Sequence, residues 1–169
     1  DSIVRMCAMG MCLPFLIAGP TFVNAQDIRC IPIALDLGIS EIPGLVEAVY
    51  RPKGHLDVRC SNASSAPVAL NVVVYDSMPQ PHRLGKDRSR DHILLWLFSD
   101  EARTERIGET PEKGLKYTIL LQSGDNGNIR FPLFPQLHLP KMLPAGDWSL
   151  PMTLKVQWKI EPSSSTSAL

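Results

Sequence analysis

The stretch that decides the fold class is Leu143-Pro-Ala-Gly-Asp-Trp-Ser-Leu-Pro-Met-Thr-Leu-Lys-Val-Gln-Trp-Lys-Ile160. From Met152 onward, Met152, Leu154, Val156, Trp158 and Ile160 alternate with Thr153, Lys155, Gln157 and Lys159. A period of two puts one set on each face of an extended chain, so the segment predicts a β-strand with one buried and one wet face. Pro144, Gly146, Asp147 and Pro151 supply turn chemistry on the approach. After Ile160 the sequence Glu-Pro-Ser-Ser-Ser-Thr-Ser-Ala-Leu has too little apolar surface to order itself, and residues 161–169 are expected to form a disordered tail.

Working outward, 169 residues make one ordinary domain with room for a real core. Seventeen basic and seventeen acidic residues cancel, which gives no reason to expect nucleic acid or an anionic membrane surface as partner. Fifteen prolines disfavour long helices and favour short strands joined by kinked loops. The expected class is all-β.

Residues 1–25 read differently. Arg5 precedes the apolar run Met6 to Gly19, and Val23-Asn24-Ala25 has small residues where a signal peptidase needs them. This pattern predicts a secretory signal cut after Ala25, and the run is shorter than the roughly 20 residues a membrane anchor needs. Its removal leaves Cys30 and Cys60, and an even pair in an exported chain predicts a disulfide. Closing a loop of about 30 residues contributes about 3 to 4 kcal/mol in the loop-entropy account. Two thiols with scattered histidines do not make a tetrahedral metal site, so neither metal nor cofactor is expected.

Within residues 26–160, strands are expected at 27–38, where Ile31, Ile33, Leu35 and Leu37 alternate, and at 54–60, where Leu56, Val58 and Cys60 point inward. Val68 to Tyr75 is rich in β-branched residues. His92 to Phe98 is nearly all apolar and reads as a central strand buried on both faces. Leu115 to Leu121, the turn at 123–127 and Asn128 to Phe134 read as a hairpin, with 137–139 continuing after a break at Pro135. About seven short strands separated by turns predict a β-sandwich.

The landmarks now stand in a suggestive order: Cys30 before Leu35-Asp-Leu-Gly38, then Gly54-His-Leu-Asp-Val-Arg-Cys60, Leu94-Leu-Trp-Leu-Phe-Ser-Asp100, Ile107-Gly108 and Leu143-Pro-Ala-Gly-Asp-Trp148. This order, over roughly residues 28–160, resembles the spore coat protein U domain, the family that includes archaic chaperone–usher pilus subunits. The resemblance implies an incomplete immunoglobulin-like β-sandwich that lacks its last strand. It implies as partners a periplasmic chaperone, an outer-membrane usher and a neighbouring pilus subunit, which fill the gap by strand donation. It also implies passage through the periplasm to the cell surface, without stable membrane insertion. On this pattern Met152, Leu154, Val156, Trp158 and Ile160 line the donor-strand groove. Two features depart from it. Only Gln26 to Arg29 stand between Ala25 and Cys30, too few to donate a strand, and the chain runs on past its last strand to Leu169. The expected role is a subunit that receives a strand, or a stand-alone coat protein.

His55 and Asp57 share a strand face, but no nucleophile or third ligand is spaced to join them, so no catalytic residue is assigned. The serine-rich segments at 61–65 and 163–167 lack the Gly-x-Ser-x-Gly elbow that a small secreted hydrolase would show. Arg83, Lys86, Arg88 and Arg90, diluted by Asp87 and Asp91, are the candidate contacts for a sulfated glycan, a phosphate or nucleic acid, against the plainer reading of a solvated loop, and Trp148 is a candidate sugar-stacking surface. Trp96 and Trp158 read as core. Asn62-Ala-Ser64 matches a glycosylation acceptor, which matters only in a eukaryotic secretory route. The leading expectation is a non-enzymatic structural subunit; the alternative is a tip adhesin binding a surface or glycan through sandwich loops.

Overall fold

The computed structural model describes residues 23–39, 48–84, 92–140 and 154–161. Among the described residues the chain forms nine strands: β1 (Ile28–Asp36), β2 (Ala48–Tyr50), β3 (Gly54–Asn62), β4 (Val68–Asp76), β5 (His82–Leu84), β6 (Ile93–Phe98), β7 (Leu115–Leu121), β8 (Asn126–Leu139) and β9 (Leu154–Ile160). Single 3-10 turns lie at Ala25–Asp27 and Pro111–Lys113. The first sheet runs β1-β3-β8-β6-β5, with β2 also on β8; the second runs β7-β4-β9. Every pairing is antiparallel. The fold is thus an all-β sandwich, as expected. Among the described residues it has nine strands where about seven were expected, because the three-residue strands β2 and β5 are too short to show a period.

The core lies between the sheets. Leu70, Val72 and Val74 of β4 meet Leu56 and Val58 of β3, Ile93, Leu95 and Leu97 of β6, and Ile129, Phe131, Leu133 and Leu137 of β8. All are buried. Each such side chain contributes about 1.5 to 3 kcal/mol relative to leaving it in water.

The sequence expectations need four corrections. First, β6 alternates: Leu94 and Trp96 are half-buried on the outer face, and only one face is sealed. Apolar content alone does not distinguish a strand covered on both sides from one whose outer face carries large residues. Second, β7 and β8 do not form a hairpin. β7 pairs with β4 in one sheet and β8 with β3 in the other, so the turn at 122–125 carries the chain across the sandwich. Asn62 anchors that crossing: its Nδ2 donates to the carbonyls of Ala66, Leu121 and Gln122, while its backbone N–H donates to Asp125 O and its carbonyl accepts from Gly124 N.

Third, β8 is not broken at Pro135 but runs through both Pro132 and Pro135. On one side β8 is paired by β3 up to Leu133 and by β2 from Leu137, leaving a gap opposite Pro135. On the other side β6 begins only at Phe134, which leaves Pro132 without a partner there. Each proline therefore sits beside an interruption in the ladder, where a missing N–H costs no bond. Arg103 bridges the gap beside Pro135, donating to Pro135 O and Pro52 O from a backbone with φ of 58°.

Fourth, the apolar set of β1 is largely exposed. The register slips between Pro32 and Ala34, so Ile31 falls opposite exposed Arg59 and Leu35 opposite buried Leu56. A bulge inverts which parity faces inward. Ile28 and Cys30 are the buried members of β1.

Candidate functional site: the open flank of the sandwich

β9 pairs with β4 along its whole length, from Asp76↔Leu154 to Leu70↔Ile160. Among the described residues it has no strand on its other side, and it forms an edge of the second sheet. β1 is the edge of the first sheet and comes within 8 Å of β9, Cα to Cα. Two sheet edges thus lie on the same flank.

The side chains on that flank are apolar and incompletely covered. On β9, Leu154, Val156 and Trp158 are half-buried against the core, and Ile160 is 36% exposed. On β1, beyond the bulge, Leu35 falls opposite buried Leu56 and is itself 44% exposed, while Ile31, 40% exposed opposite Arg59, lies on the outer face. Central strand β4, next to β9, buries Leu70, Val72 and Val74 completely at the same levels. The contrast shows what a neighbouring strand does: it seals one row and leaves the outer one part wet. Of the expected groove residues, Leu154, Val156, Trp158 and Ile160 share this inward row, and Met152 lies outside the described residues. The β1 contribution was missed; Pro32 within an apolar strand was the available signal of an edge.

Cys30 and Cys60 are bonded to each other as expected, and they face one another across β1 and β3 with Cα atoms 4.0 Å apart. The bridge fixes the edge strand to its sheet close to the bulge.

The remaining candidates separate clearly. Asp57 is held by Arg130, whose Nε and Nη2 donate to its two oxygens at 2.8 and 2.9 Å, with His55 Nε2 3.6 Å away. The guanidinium hydrogen bonds hold the Asp57 carboxyl below its usual range, an ionised structural partner. Arg83 lies exposed on β5 opposite Leu94, whereas Lys86, Arg88, Arg90 and Trp148 lie outside the described residues. Trp96 is corrected from core to outer face, where its ring lies 4.5 Å from that of His138. Asn62 is 1% exposed with its amide committed to three carbonyls, so the folded chain does not present it to a glycosylating enzyme. Among the described residues no three His, Cys, Asp or Glu side chains come together to hold a metal ion.

Comparison with protein-family models and with curated proteins gave no match to this sequence. The functional reading rests on the flank itself.

Proposed function

We propose that the protein is a non-enzymatic, exported structural subunit whose sandwich is completed by an extended segment from another chain, as in chaperone–usher pili. The observation that carries this reading is the edge of β9, unpaired among the described residues, above a half-covered apolar row. Backbone N–H and C=O groups along a free edge, with apolar surface beside them, form a template for β-addition. Strand addition supplies the hydrogen bonds and the alternate side chains fill the row, which is how extended peptides are recognised on sheet edges generally. Periplasmic passage agrees with the Cys30–Cys60 bond, since disulfides persist in oxidising compartments. The immunoglobulin-like relation and the chaperone, usher and neighbouring-subunit partners belong to the same proposal and rest on the order of sequence landmarks.

The test is soluble yield after periplasmic expression, with and without a strand-donating chaperone. Aggregation alone and rescue by co-expression are expected. A soluble monomer that unfolds cooperatively without any added strand overturns the reading.

A further inference from the structure

Resting on that strand-addition reading, the chemistry beside the open edge specifies what kind of segment can occupy it. A strand added to β9 presents its residues alternately to the apolar row and to the outer face of the second sheet. On the outer face its direct neighbours are Lys155, Gln157 and Lys159, all exposed. On the opposite side these three face Tyr75, Val73 and Asn71 of β4, none of them acidic. Among the described residues neither lysine forms an ion pair within 4 Å. Lys116 of β7 lies opposite Val73 on the same face and adds to the positive field. Glu112 shares a shallow depression with Lys116, Gln157 and Lys159, and Glu161 follows Lys159 by two residues, just past the end of β9.

We infer that the segment completing this sandwich is extended, apolar at alternate positions and acidic at the intervening ones, with Asp or Glu falling beside Lys155 and Lys159. Directly opposed side chains on neighbouring strands have Cβ atoms about 4.5 to 5.5 Å apart, close enough for opposite charges to attract and like charges to repel. The same rule disfavours a second copy of β9 as occupant. Antiparallel pairing about Gln157 sets Lys155 of one chain against Lys159 of the other. Lysines on an edge therefore act as a filter, discouraging self-pairing while admitting an acidic partner.

The experiment is displacement of a labelled ten-residue peptide from the full chain by unlabelled peptides with the same apolar positions and Glu, Ser or Lys at the intervening ones. The Glu peptide is expected to bind about fivefold tighter than the Ser peptide, and the Lys peptide weaker, in line with exposed cross-strand ion pairs. Raising the salt compresses the differences, and the double variant Lys155→Glu, Lys159→Glu inverts the order. Equal binding by all three peptides, or an order that survives charge reversal, overturns the acidic-donor inference while leaving strand addition standing. Failure of every peptide to bind overturns both.

Discussion

Asp76 and His82 meet inside the protein, carboxylate Oδ2 to imidazole Nε2 at 2.5 Å, with 1% and 4% of their side chains exposed. The contact joins the end of β4, in the second sheet, to β5, at the far edge of the first. Gln80 extends it: its Nε2 donates to Asp76 Oδ2 and Ile107 O, and its Oε1 accepts from Leu97 N. Met78 N also donates to Asp76 Oδ1. One carboxylate thus organises the β4–β5 connection and ties both sheets together at the end away from Asn62.

Removing one partner leaves the other buried without its main bond, and that loss dominates over the modest net value of an intact pair. His82→Ala and Asp76→Ala are each expected to destabilise the folded protein by about 3 to 5 kcal/mol. The double variant is expected to cost clearly less than the sum. Urea midpoints of the four proteins check this; strict additivity contradicts a shared role.

The disulfide leads to a second prediction. Among the described residues β1 pairs only with β3, and its exposed residues Ile31, Ile33 and Leu35 add little burial to hold it. Reduction, or Cys30→Ala with Cys60→Ala, is expected to lower stability by about 2 to 4 kcal/mol. Amide hydrogen exchange should accelerate most in Ile31 to Asp36. Uniform acceleration across both sheets instead would show that the bridge acts on the whole domain.

Where the sequence was legible, the reason is the period of two. β3 and β9 each carry a strict alternation, and each appears with the expected face inward. The flank was legible only on its β9 side. β1 spells an equally regular alternation from Ile31 to Leu37, but the slip beside Pro32 makes parity a poor guide to the buried face there. The β7–β8 turn shows a different limit. Ser123 to Gly127 has the composition of a hairpin turn, yet the partners are chosen by Asn62, more than fifty residues upstream in the chain, whose bonds to Leu121 and Gln122 send the two strands into opposite sheets. A local turn signal carries no information about a hydrogen bond of that range.

Asn62 is therefore a sharp site to perturb. Its Oδ1 accepts from Ser64 N and Oγ at 3.0 and 2.6 Å, and its Nδ2 donates at 2.8, 3.1 and 3.3 Å to three carbonyls. Asn62→Ala leaves several polar groups at the sheet crossing unsatisfied, each costing about 1 to 3 kcal/mol when buried. A total loss of about 2 to 4 kcal/mol is expected, since some of these groups are only part-buried and water can replace the amide there. Asn62→Asp keeps the acceptor and loses the donor, and is expected to be no milder. Thermal unfolding of the two variants is the measurement, and a near-neutral Asn62→Ala would remove Asn62 as the anchor of the crossing.

The loop after β6 makes stability depend on acid. Asp100 accepts from Glu105 N at 2.8 Å, from Thr104 N at 3.0 and 3.1 Å and from Thr104 Oγ1 at 2.7 Å. The Glu105 N–H, then the Thr104 hydroxyl, hold its carboxyl below the ordinary value of 3.8. A carboxyl whose folded pKa is depressed binds its proton more readily in the unfolded chain. Its contribution is therefore fully present above 3.8 and is lost as the pH falls through the lower, folded value. Asp57, ion-paired to Arg130 across β3 and β8, has the same sign. Stability measured from pH 6 downward is thus expected to hold level and then decline below about pH 4, the unfolded carboxylate range. Asp100→Asn, which keeps an acceptor oxygen but has no proton to gain, is expected to make that decline shallower while leaving the level above pH 5 reduced. An unchanged acid slope in this variant would assign the decline to Asp57 and the other carboxylates; Asp57→Asn, measured in the same way, then tests the Arg130 pair directly.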